Sequence, residues 1–313
     1  MIALKKAEAR YLITGGSGLV GRALTEQMRS LGATSVVSLS SSDCDLRDRD
    51  AVAAVFKAAR PDFVFHLAAR VYGLGGNAAF KSDVLVDNVL INTNVIEQSR
   101  LCGTKKIIAM GSGCVYPELG DRSELCEDQV WLGPPHSSED SYAHAKRLML
   151  AHLNATREQH GTRSAFVISG NLYGPHDNFN TETGHVIPSL IAKFHRARAT
   201  TGVVSPWGSG IAMRDFTHAN DMAAALLHVL ENFEGVINIG SGYRHRIEEI
   251  VTILAKLTGV QVSWDRSKPD GQLHRYYNLD KVKALGFTPR WDLVNGVIET
   301  YKWYDSNTDI ARN

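Results

Sequence analysis

The sequence lacks the features that mark a membrane, secreted or nucleic-acid-binding protein. No apolar run in its 313 residues approaches the ~18 residues that a membrane-spanning helix needs. Its four cysteines show neither CxxC spacing nor the density of a disulfide scaffold, so we expect reduced thiols and no metal site. A net charge of +1 creates no long-range field to attract nucleic acid or an anionic membrane. These absences favour a soluble, cytoplasmic protein that binds anions through a few local cations.

The order of apolar segments predicts an α/β fold. Short apolar runs at residues 11–14, 63–67 and 106–110 alternate with helix-length periodic segments such as 19–31 and 142–160. This alternation is typical of right-handed βαβ units that build a parallel sheet. We therefore predict a Rossmann-type doubly wound parallel sheet over residues 1–170.

The second half of the chain has a looser pattern. Prolines and polar loops separate fewer apolar runs after Asn171, with isolated strands predicted at 236–239 and 260–264. We predict a smaller mixed α/β substrate domain over residues 171–313. Part of residues 215–245 is expected to return to the first sheet.

A glycine-rich segment lies between the first predicted strand and the first predicted helix. Glycine at Gly15, Gly18 and Gly21 permits a tight turn, a close approach of backbone to a pyrophosphate, and close packing of the helix on the sheet. The amino terminus of the helix then faces the phosphates. The sequence therefore predicts a dinucleotide site here, with Leu19 and Val20 among its contacts.

The end of the second strand bears on the choice of dinucleotide. An NAD site usually has an acid there that binds the ribose 2′-hydroxyl, whereas this chain has serines at 40–42. Their presence permits a 2′-phosphate and favours NADP. Arg22 is either a phosphate partner or an exposed helix residue. We expect four further cofactor contacts, at the adenine edge and along the cleft: Asp45, Leu67, Ala68 and Ala69.

Tyr142 and Lys146 are four residues apart on a predicted helix, so their side chains share one face. We expect the ammonium to lower the pKa of the phenol from about 10 toward neutrality. Such a phenol can protonate a carbonyl oxygen as hydride from a nicotinamide reaches the carbon. The pair therefore predicts a proton donor for a hydride-transfer reaction.

These motifs together resemble the extended short-chain dehydrogenase/reductase family. The resemblance rests on the glycine motif, on His66-Leu67-Ala68-Ala69, on Ser112 after the fourth strand, and on Tyr142-x-x-x-Lys146. The segments GSGCVYP (111–117), NLYGPHDNF (171–179), HVIPSL (185–190), WGSG (207–210), MRDFTH (213–218) and SKPDG (267–271) are similar, within that family, to enzymes that epimerise and reduce GDP-4-keto-6-deoxymannose. The resemblance implies an NADPH-dependent homodimer that acts on a GDP-linked sugar.

The resemblance also implies two chemistries in one site. Ser112 and Tyr142 would hold the C4 carbonyl, while Lys146 would also hold the nicotinamide ribose. Cys114 and His185 would move protons at C3 and C5, because a 4-ketone acidifies the hydrogens on both neighbouring carbons. We expect near-neutral pKa values for this thiol and this imidazole. His185 is also expected to contact the cofactor.

Further substrate contacts are implied in the second half of the chain. Arg214 is the expected diphosphate clamp, because a guanidinium binds phosphate through two parallel hydrogen bonds. Pairing of Arg214 with Asp215 or Asp221 is the structural alternative. The remaining contacts that the resemblance implies are Asn171, which would border both sugar and cofactor, Lys193, Trp207 and Arg275.

Departures from the family pattern leave the identity of the sugar undetermined. The family often has serine at the position of Gly113 and arginine at that of Ser17, and residues 71–77 and 272–275 match it loosely. Another GDP-4-keto sugar, such as a heptose, is therefore an alternative substrate, with reduction alone or with epimerisation.

Three other functions fit the residues less well. A 4,6-dehydratase would need an acid pair after Ser112, and a redox-neutral 4-epimerase has no use for Cys114 and His185. A non-catalytic dinucleotide-sensing protein would not need the proton donor Tyr142. The residues therefore favour the epimerase/reductase.

Overall fold

The computed structural model describes residues 7–71, 80–118, 124–268 and 275–312. The strands are β1 Arg10–Thr14, β2 Ser35–Leu39, β3 Phe63–His66, β4 Lys106–Met110, β5 Glu124–Leu125, β6 Arg163–Ser169, β7 Asn171–Tyr173, β8 Val203–Val204, β9 Met213–Arg214, β10 Phe216–His218, β11 Gly235–Ile239, β12 His245–Arg246, β13 Gln261–Val262 and β14 Tyr276–Tyr277. The helices are α1 Leu19–Ser30, α2 Arg49–Ala59, α3 Lys81–Leu101, α4 Asp140–His160, α5 Val186–Ala199, α6 Ala219–Asn232, α7 Ile247–Thr258, α8 Asp280–Ala284 and α9 Leu293–Ser306. Two short 3₁₀ helices cover Gly113–Val115 and Glu127–Trp131.

A six-stranded parallel sheet in the order β2-β1-β3-β4-β6-β11 forms the centre of the molecule. The chain passes from β1 to β2 on one side and then crosses back to β3 on the other side of β1. In doubly wound sheets, ligands bind at the carboxyl ends of the strands where this reversal occurs. The predicted doubly wound α/β fold is confirmed, and its crevice lies between β1 and β3.

The first half of the fold follows the local signals closely. Helix α2 ends at Ala59, because Arg60 adopts a left-handed conformation with φ of 43° directly before Pro61. In the second half, the strand predicted at 260–264 forms only over Gln261–Val262, which pairs with the two-residue strand β8.

Two hydrophobic clusters occupy the described part of the chain. The larger cluster lies on both faces of the central sheet, and the smaller one joins α5, α7 and α9 around Phe179 and Phe194. Strand β11, from within residues 215–245, pairs with β6 at the edge of the central sheet. The two clusters support a division into two domains, whose boundary at residue 170 stays a prediction.

Lys106 connects the central sheet to the end of α6. Its side chain is 1% exposed, and its ammonium donates hydrogen bonds of 2.7 Å to the carbonyl oxygens of Val229 and Leu230. Carbonyls in the last turn of a helix lack intrahelical donors, so the ammonium supplements the hydrogen bond that the Val229 oxygen accepts from the C-cap amide of Phe233 at 3.2 Å, and a cation there also favours the helix dipole.

We expect Lys106→Met to lower the free energy of unfolding by about 1–3 kcal/mol, because buried carbonyls lose a charged donor. Urea denaturation measures the change. The matched control is Lys105→Met, which removes a 64%-exposed lysine paired with Asp62 and should change stability by less than about 1 kcal/mol. Equal effects of the two substitutions would contradict the role of Lys106.

Candidate active site

The glycine loop packs main chain against main chain in the crevice. Gly15 has φ of +72°, and a Cβ on it would lie 2.8 Å from the Ala68 nitrogen. A Cβ on Gly21 would lie 2.2 Å from the Gly15 oxygen. Gly18 is the N-cap of α1, whose first turn from Leu19 contains no acidic residue. The loop therefore offers free helix amides to an anion, with no side chain between them and the strand ends.

A buried hydrogen-bonded chain joins this crevice to helix α4. Thr14 Oγ1 lies 2.8 Å from His66 Nδ1, and His66 Nε2 lies 2.9 Å from Asn92 Oδ1. Asn92 Nδ2 then donates to the Ala145 oxygen at 3.4 Å, within α4. Burial lowers the pKa of His66 to about 3, so the ring stays neutral and keeps both partners. The sequence motif identified His66, whereas the roles of Thr14 and Asn92 depend on contacts between distant segments.

The rim of the crevice carries both acidic and basic side chains. The amide and hydroxyl of Ser40 donate to Asp43 Oδ2 at 2.8 and 2.6 Å, so this carboxylate is engaged in its own turn. The exposed Asp45 pairs with Arg47, with Nη2 and Oδ2 2.8 Å apart. The exposed Arg22 donates from Nε to the Ser17 oxygen at 3.0 Å, which holds its guanidinium beside the glycine loop.

Four of the predicted catalytic residues converge at the carboxyl end of β4. Lys146 Nζ donates to the Met110 oxygen at 2.8 Å and lies 5.6 Å from the centre of the Tyr142 ring. The Cys114 amide donates to Ser112 Oγ at 3.5 Å. Ser112, Cys114, Tyr142 and Lys146 therefore share one site, formed by the strand end and the first turns of α4.

The electrostatics of this site differ from the expectation at two residues. Lys146 does not lower the pKa of Tyr142, because burial raises it, and the charges of Cys114 and Glu139 add to the rise. Burial also raises the pKa of Cys114 to about 12, against the lowering effects of Ser112, Arg275 and Lys146. The expected near-neutral phenol and thiol are wrong, since loss of solvation outweighs the neighbouring cations. Burial lowers the pKa of Lys146 to about 8.

Arg275 lies at the same site, although its segment departs from the family pattern. Its Nη2 is 3.5 Å from Glu139 Oε2, at the residue that precedes α4. Its positive charge lowers the pKa of Cys114. Burial lowers the pKa of Arg214, and the charge of Arg275 lowers it further. Two guanidinium groups therefore lie close together.

Arg214 pairs with neither Asp215 nor Asp221. Asp215 accepts hydrogen bonds from the amides of Ser241 and Gly242 at 2.8 and 2.9 Å. Asp221 accepts from the amides of Arg290 and Trp291. Arg214 donates to its neighbour's carbonyl at Met213, at 2.8 Å. The structural alternative for Arg214 is therefore wrong.

Two of the predicted substrate residues, Lys193 and Trp207, lie together at an exposed indole. Trp207 is 66% exposed, and the ammonium groups of Lys193 and Lys268 lie 5.6 and 5.8 Å from its ring centre. Burial lowers the pKa of Lys193. Asn171 is half-buried on β7, where its amide donates to the Asp215 oxygen at 3.2 Å. The two lysines and Trp207 present cations and a flat aromatic surface to a ligand.

His185 is exposed at the N-cap of α5. No contact with Cys114 is found among the described residues. Nearby Asp177 is buried, and its Oδ2 has no hydrogen-bond partner in the described part of the chain. Burial raises the pKa of Asp177 to about 6 against the opposing effect of His185. A role for His185 opposite Cys114 therefore stays a prediction.

Two segments that carry sequence predictions lie partly outside the described residues: residues 72–77 of the segment 71–77, and residues 269–274 of the segment 267–275. A cavity of about 600 Å³ at the amino-terminal edge of the sheet, lined by Phe63, Lys105 and Arg163 among others, contains none of the predicted site residues.

Within the described ranges, no cluster of three or more His, Cys, Asp or Glu could hold a metal ion, all four cysteines are free, and no helix is long and apolar enough to cross a membrane.

Comparison with known proteins places this geometry in context. Residues 11–240 match the NAD dependent epimerase/dehydratase family. Probable GDP-L-fucose synthase 1 of Oryza sativa subsp. japonica is 35% identical over 309 residues, which cover 97% of this chain and 94% of the relative. A crystal structure of a GDP-L-fucose synthetase from Naegleria fowleri bound to NADP superimposes with a TM-score of 0.92 at 33% identity, over 100% of this chain and 97% of that one. A GDP-6-OMe-4-keto-L-xylo-heptose reductase from C. jejuni superimposes with a TM-score of 0.88 at 27% identity, over 96% and 98%.

The raised pKa of Cys114 predicts a slow and strongly pH-dependent thiol. At pH 8, a thiol with a pKa of about 12 is ionised to about 1 part in 10,000, against roughly a quarter at the ordinary pKa of 8.5. We expect iodoacetamide to alkylate Cys114 at least about 100-fold more slowly in the folded protein than in urea, with a roughly tenfold rise per pH unit from 7 to 10. Peptide mass spectrometry of timed digests measures both.

Arg275→Met should slow this alkylation further, because its positive charge lowers the pKa of Cys114. An alkylation rate that reaches its plateau near pH 8 would contradict the raised pKa of Cys114.

Proposed function

Because the chain belongs to the NAD dependent epimerase/dehydratase family, we propose that it is an NADPH-dependent 3,5-epimerase/4-reductase that converts GDP-4-keto-6-deoxymannose to GDP-L-fucose. The observation that carries this function is the convergence of Ser112, Cys114, Tyr142 and Lys146 at the end of β4. β4 pairs directly with β3, whose end lines the crevice. The carbonyl chemistry and the dinucleotide cradle therefore belong to one cleft.

The cradle fits a dinucleotide. Gly15, Gly18 and Gly21 keep the pyrophosphate path free of side chains, and Leu67, Ala68 and Ala69 follow β3 along the same crevice. The rim has Ser40 and Arg22 in place of a free carboxylate, which suits a 2′-phosphate. When bound, NADPH supplies the hydride that reduces C4 of the sugar.

Tyr142 is the proton donor for the reduction. The raised pKa keeps its phenol protonated at neutral pH, so it can deliver a proton to the C4 oxygen as the carbonyl is reduced. Ser112 Oγ donates a second hydrogen bond to that oxygen. Lys146, held by the Met110 carbonyl, stabilises the phenolate that remains and hydrogen-bonds the nicotinamide ribose.

Cys114 and His185 carry out the epimerisation. Cys114 removes a proton from the carbons next to the ketone, and His185 returns one from the opposite face of the sugar. Because the buried thiol has a raised pKa, the positive charges of Arg275 and Lys146 are needed to favour the thiolate. Epimerisation therefore depends on the same cations that hold the substrate and cofactor.

The nucleotide half of the substrate meets the second half of the chain. Arg214 and Arg275 are neighbouring guanidiniums that suit a diphosphate, and Lys193 adds a third cation beside Trp207. A GDP-linked 4-keto heptose is the second candidate substrate, because heptose reductases share this fold over nearly the whole chain.

We also infer a cytoplasmic homodimer, and helix α3 supports the dimer. Its buried side includes Asp87, Asn88 and Asn92, while Leu85, Val86 and Leu90 are 36%, 51% and 41% exposed. Leu148, on the adjacent helix α4, is 48% exposed. The buried side of α3 also contains the apolar residues Val84, Val95 and Ile96, so the exposed apolar residues form a second apolar face, which a second copy of the same surface would cover.

The function is tested by incubating the protein with GDP-4-keto-6-deoxymannose and NADPH in D2O. We expect NADPH oxidation and NMR signals of GDP-L-fucose with deuterium at C3 and C5, because each carbon exchanges a proton during epimerisation. Cys114→Ser should suppress this exchange by at least about 100-fold while reducing an already epimerised ketone at a similar rate. Reduction without deuterium at either carbon would leave a plain 4-reductase, and turnover of a GDP-4-keto heptose alone would favour the second candidate.

The dimer is tested by light scattering coupled to size exclusion. We expect Leu90→Glu to raise the dimer dissociation constant about 100-fold or more, because an unpaired carboxylate would be buried at the interface. Leu257→Glu is the matched control, since Leu257 is a 36%-exposed leucine on α7. A wild-type monomer, or equal effects of both substitutions, would contradict the proposed interface.

A further inference from the structure

The turn that carries Ser112 and Cys114 has glycine at its centre, and a tyrosine from a distant strand fills the space that a side chain would take. A Cβ on Gly113 would lie 2.0 Å from the Tyr277 hydroxyl oxygen and 2.9 Å from Cζ of its ring. Gly113 is not among the glycines with positive φ, so its backbone conformation does not require glycine. The absence of a side chain at this position is therefore explained by the tyrosine.

The Tyr277 ring is fixed in a slot between two glycines. On the other side of the ring, a Cβ on Gly170 would lie 3.1 Å from Cε2, and the Tyr116 ring lies 6.2 Å away between centres. Tyr277 pairs in register with Leu125 across the parallel strands β14 and β5, and the Asn278 amide donates to the Leu125 oxygen at 2.9 Å. The hydroxyl is therefore held against the catalytic turn by backbone pairing and by packing.

The hydroxyl lies directly at the Ser112–Cys114 turn, and the residue is only 8% exposed. Burial raises the pKa of Tyr277 to about 12, so the phenol keeps its proton and is a donor at neutral pH. A protonated phenol at this turn can donate a hydrogen bond to an oxygen of a ligand bound there. Cys114 and Arg275 both act electrostatically on this phenol, which places it beside the reacting groups.

We propose that Tyr277 is a substrate-contacting, specificity-determining residue whose hydroxyl donates a hydrogen bond to an oxygen of the sugar bound over the Ser112–Cys114 turn. Where the family often has a serine at the position of Gly113, this chain presents a phenol at the same turn from β14. The hydroxyl oxygen lies 2.0 Å from the position of a Cβ at residue 113, so the phenol supplies a donor where the serine side chain would be, on a longer and more rigid side chain. This inference rests on the proposed function, because the ligand is the sugar of a GDP-sugar.

Tyr277→Phe removes the donor and keeps the ring. We expect this substitution to weaken the binding of GDP-mannose about 10-fold by isothermal titration calorimetry while changing the affinity for GDP less than twofold, because the contact is to the sugar alone. The kcat/KM for GDP-4-keto-6-deoxymannose should fall by a similar factor, with the melting temperature and the affinity for NADPH unchanged. Tyr276→Phe is the matched control, and its GDP-mannose affinity should stay within twofold of the wild type.

An unchanged GDP-mannose affinity in Tyr277→Phe, or equal losses for GDP and GDP-mannose, would overturn the inference whether or not the protein turns over the 4-keto sugar. Failure of the wild type to reduce any GDP-4-keto sugar would instead overturn the proposed function. The two failures are therefore distinguishable.

The pairing of Gly113 with Tyr277 has its own test. Gly113→Ser should lower the melting temperature and the activity, since its Cβ meets the phenol. The double variant Gly113→Ser/Tyr277→Leu should recover the lost melting temperature, because the smaller side chain makes room for the serine. Additive losses in the double variant would overturn the packing argument.

Discussion

The site depends on one close contact at the carboxyl ends of β1 and β3, where the glycine loop packs its backbone directly against the backbone of Ala68. No Cβ fits at Gly15 or Gly21, so α1 begins directly at the strand end and directs its free amides into the crevice. The same edge continues through Thr14, His66 and Asn92 to the backbone of α4. The position of the phenol and the ammonium on α4 relative to the nicotinamide end of the cleft is therefore linked to the packing of the first glycine.

Burial controls the acid–base character of the site more than neighbouring charges do. It raises the pKa values of Tyr142 and Cys114 and lowers that of Lys146. For a reductase this is a consistent arrangement, since the proton donor must hold its proton until the carbonyl oxygen gains charge. Epimerisation needs the opposite behaviour, because the Cys114 thiol must lose its proton despite the free-energy cost of a buried thiolate. The cations that offset this cost, Lys146 and Arg275, come from different halves of the chain, and this couples the two chemistries.

The second half of the chain supplies the residues that we propose for substrate recognition. Arg214, Lys193 and Trp207 lie around the smaller hydrophobic cluster. Arg275, just before β14, and Tyr277, on β14, lie at the catalytic turn. Ion pairing of Arg275 with Glu139 connects this segment directly to the start of α4. Sugar choice and proton chemistry are thus physically adjacent, so a change at one strand, β14, alters both.

The sequence by itself determined the doubly wound fold and its crevice, because these follow from local patterns: apolar runs, the Arg60-Pro61 stop after α2, and glycines between a strand and a helix. It also identified Ser112, Cys114, Tyr142 and Lys146, whose spacing on one strand end and one helix is set locally. Tertiary structure alone decided the pKa values of those groups, since desolvation depends on everything that packs around them. It alone revealed Thr14, Asn92 and Tyr277 as partners of the site, because each meets residues that are dozens or more than a hundred positions away in the chain. Local sequence patterns carry no record of such distant contacts.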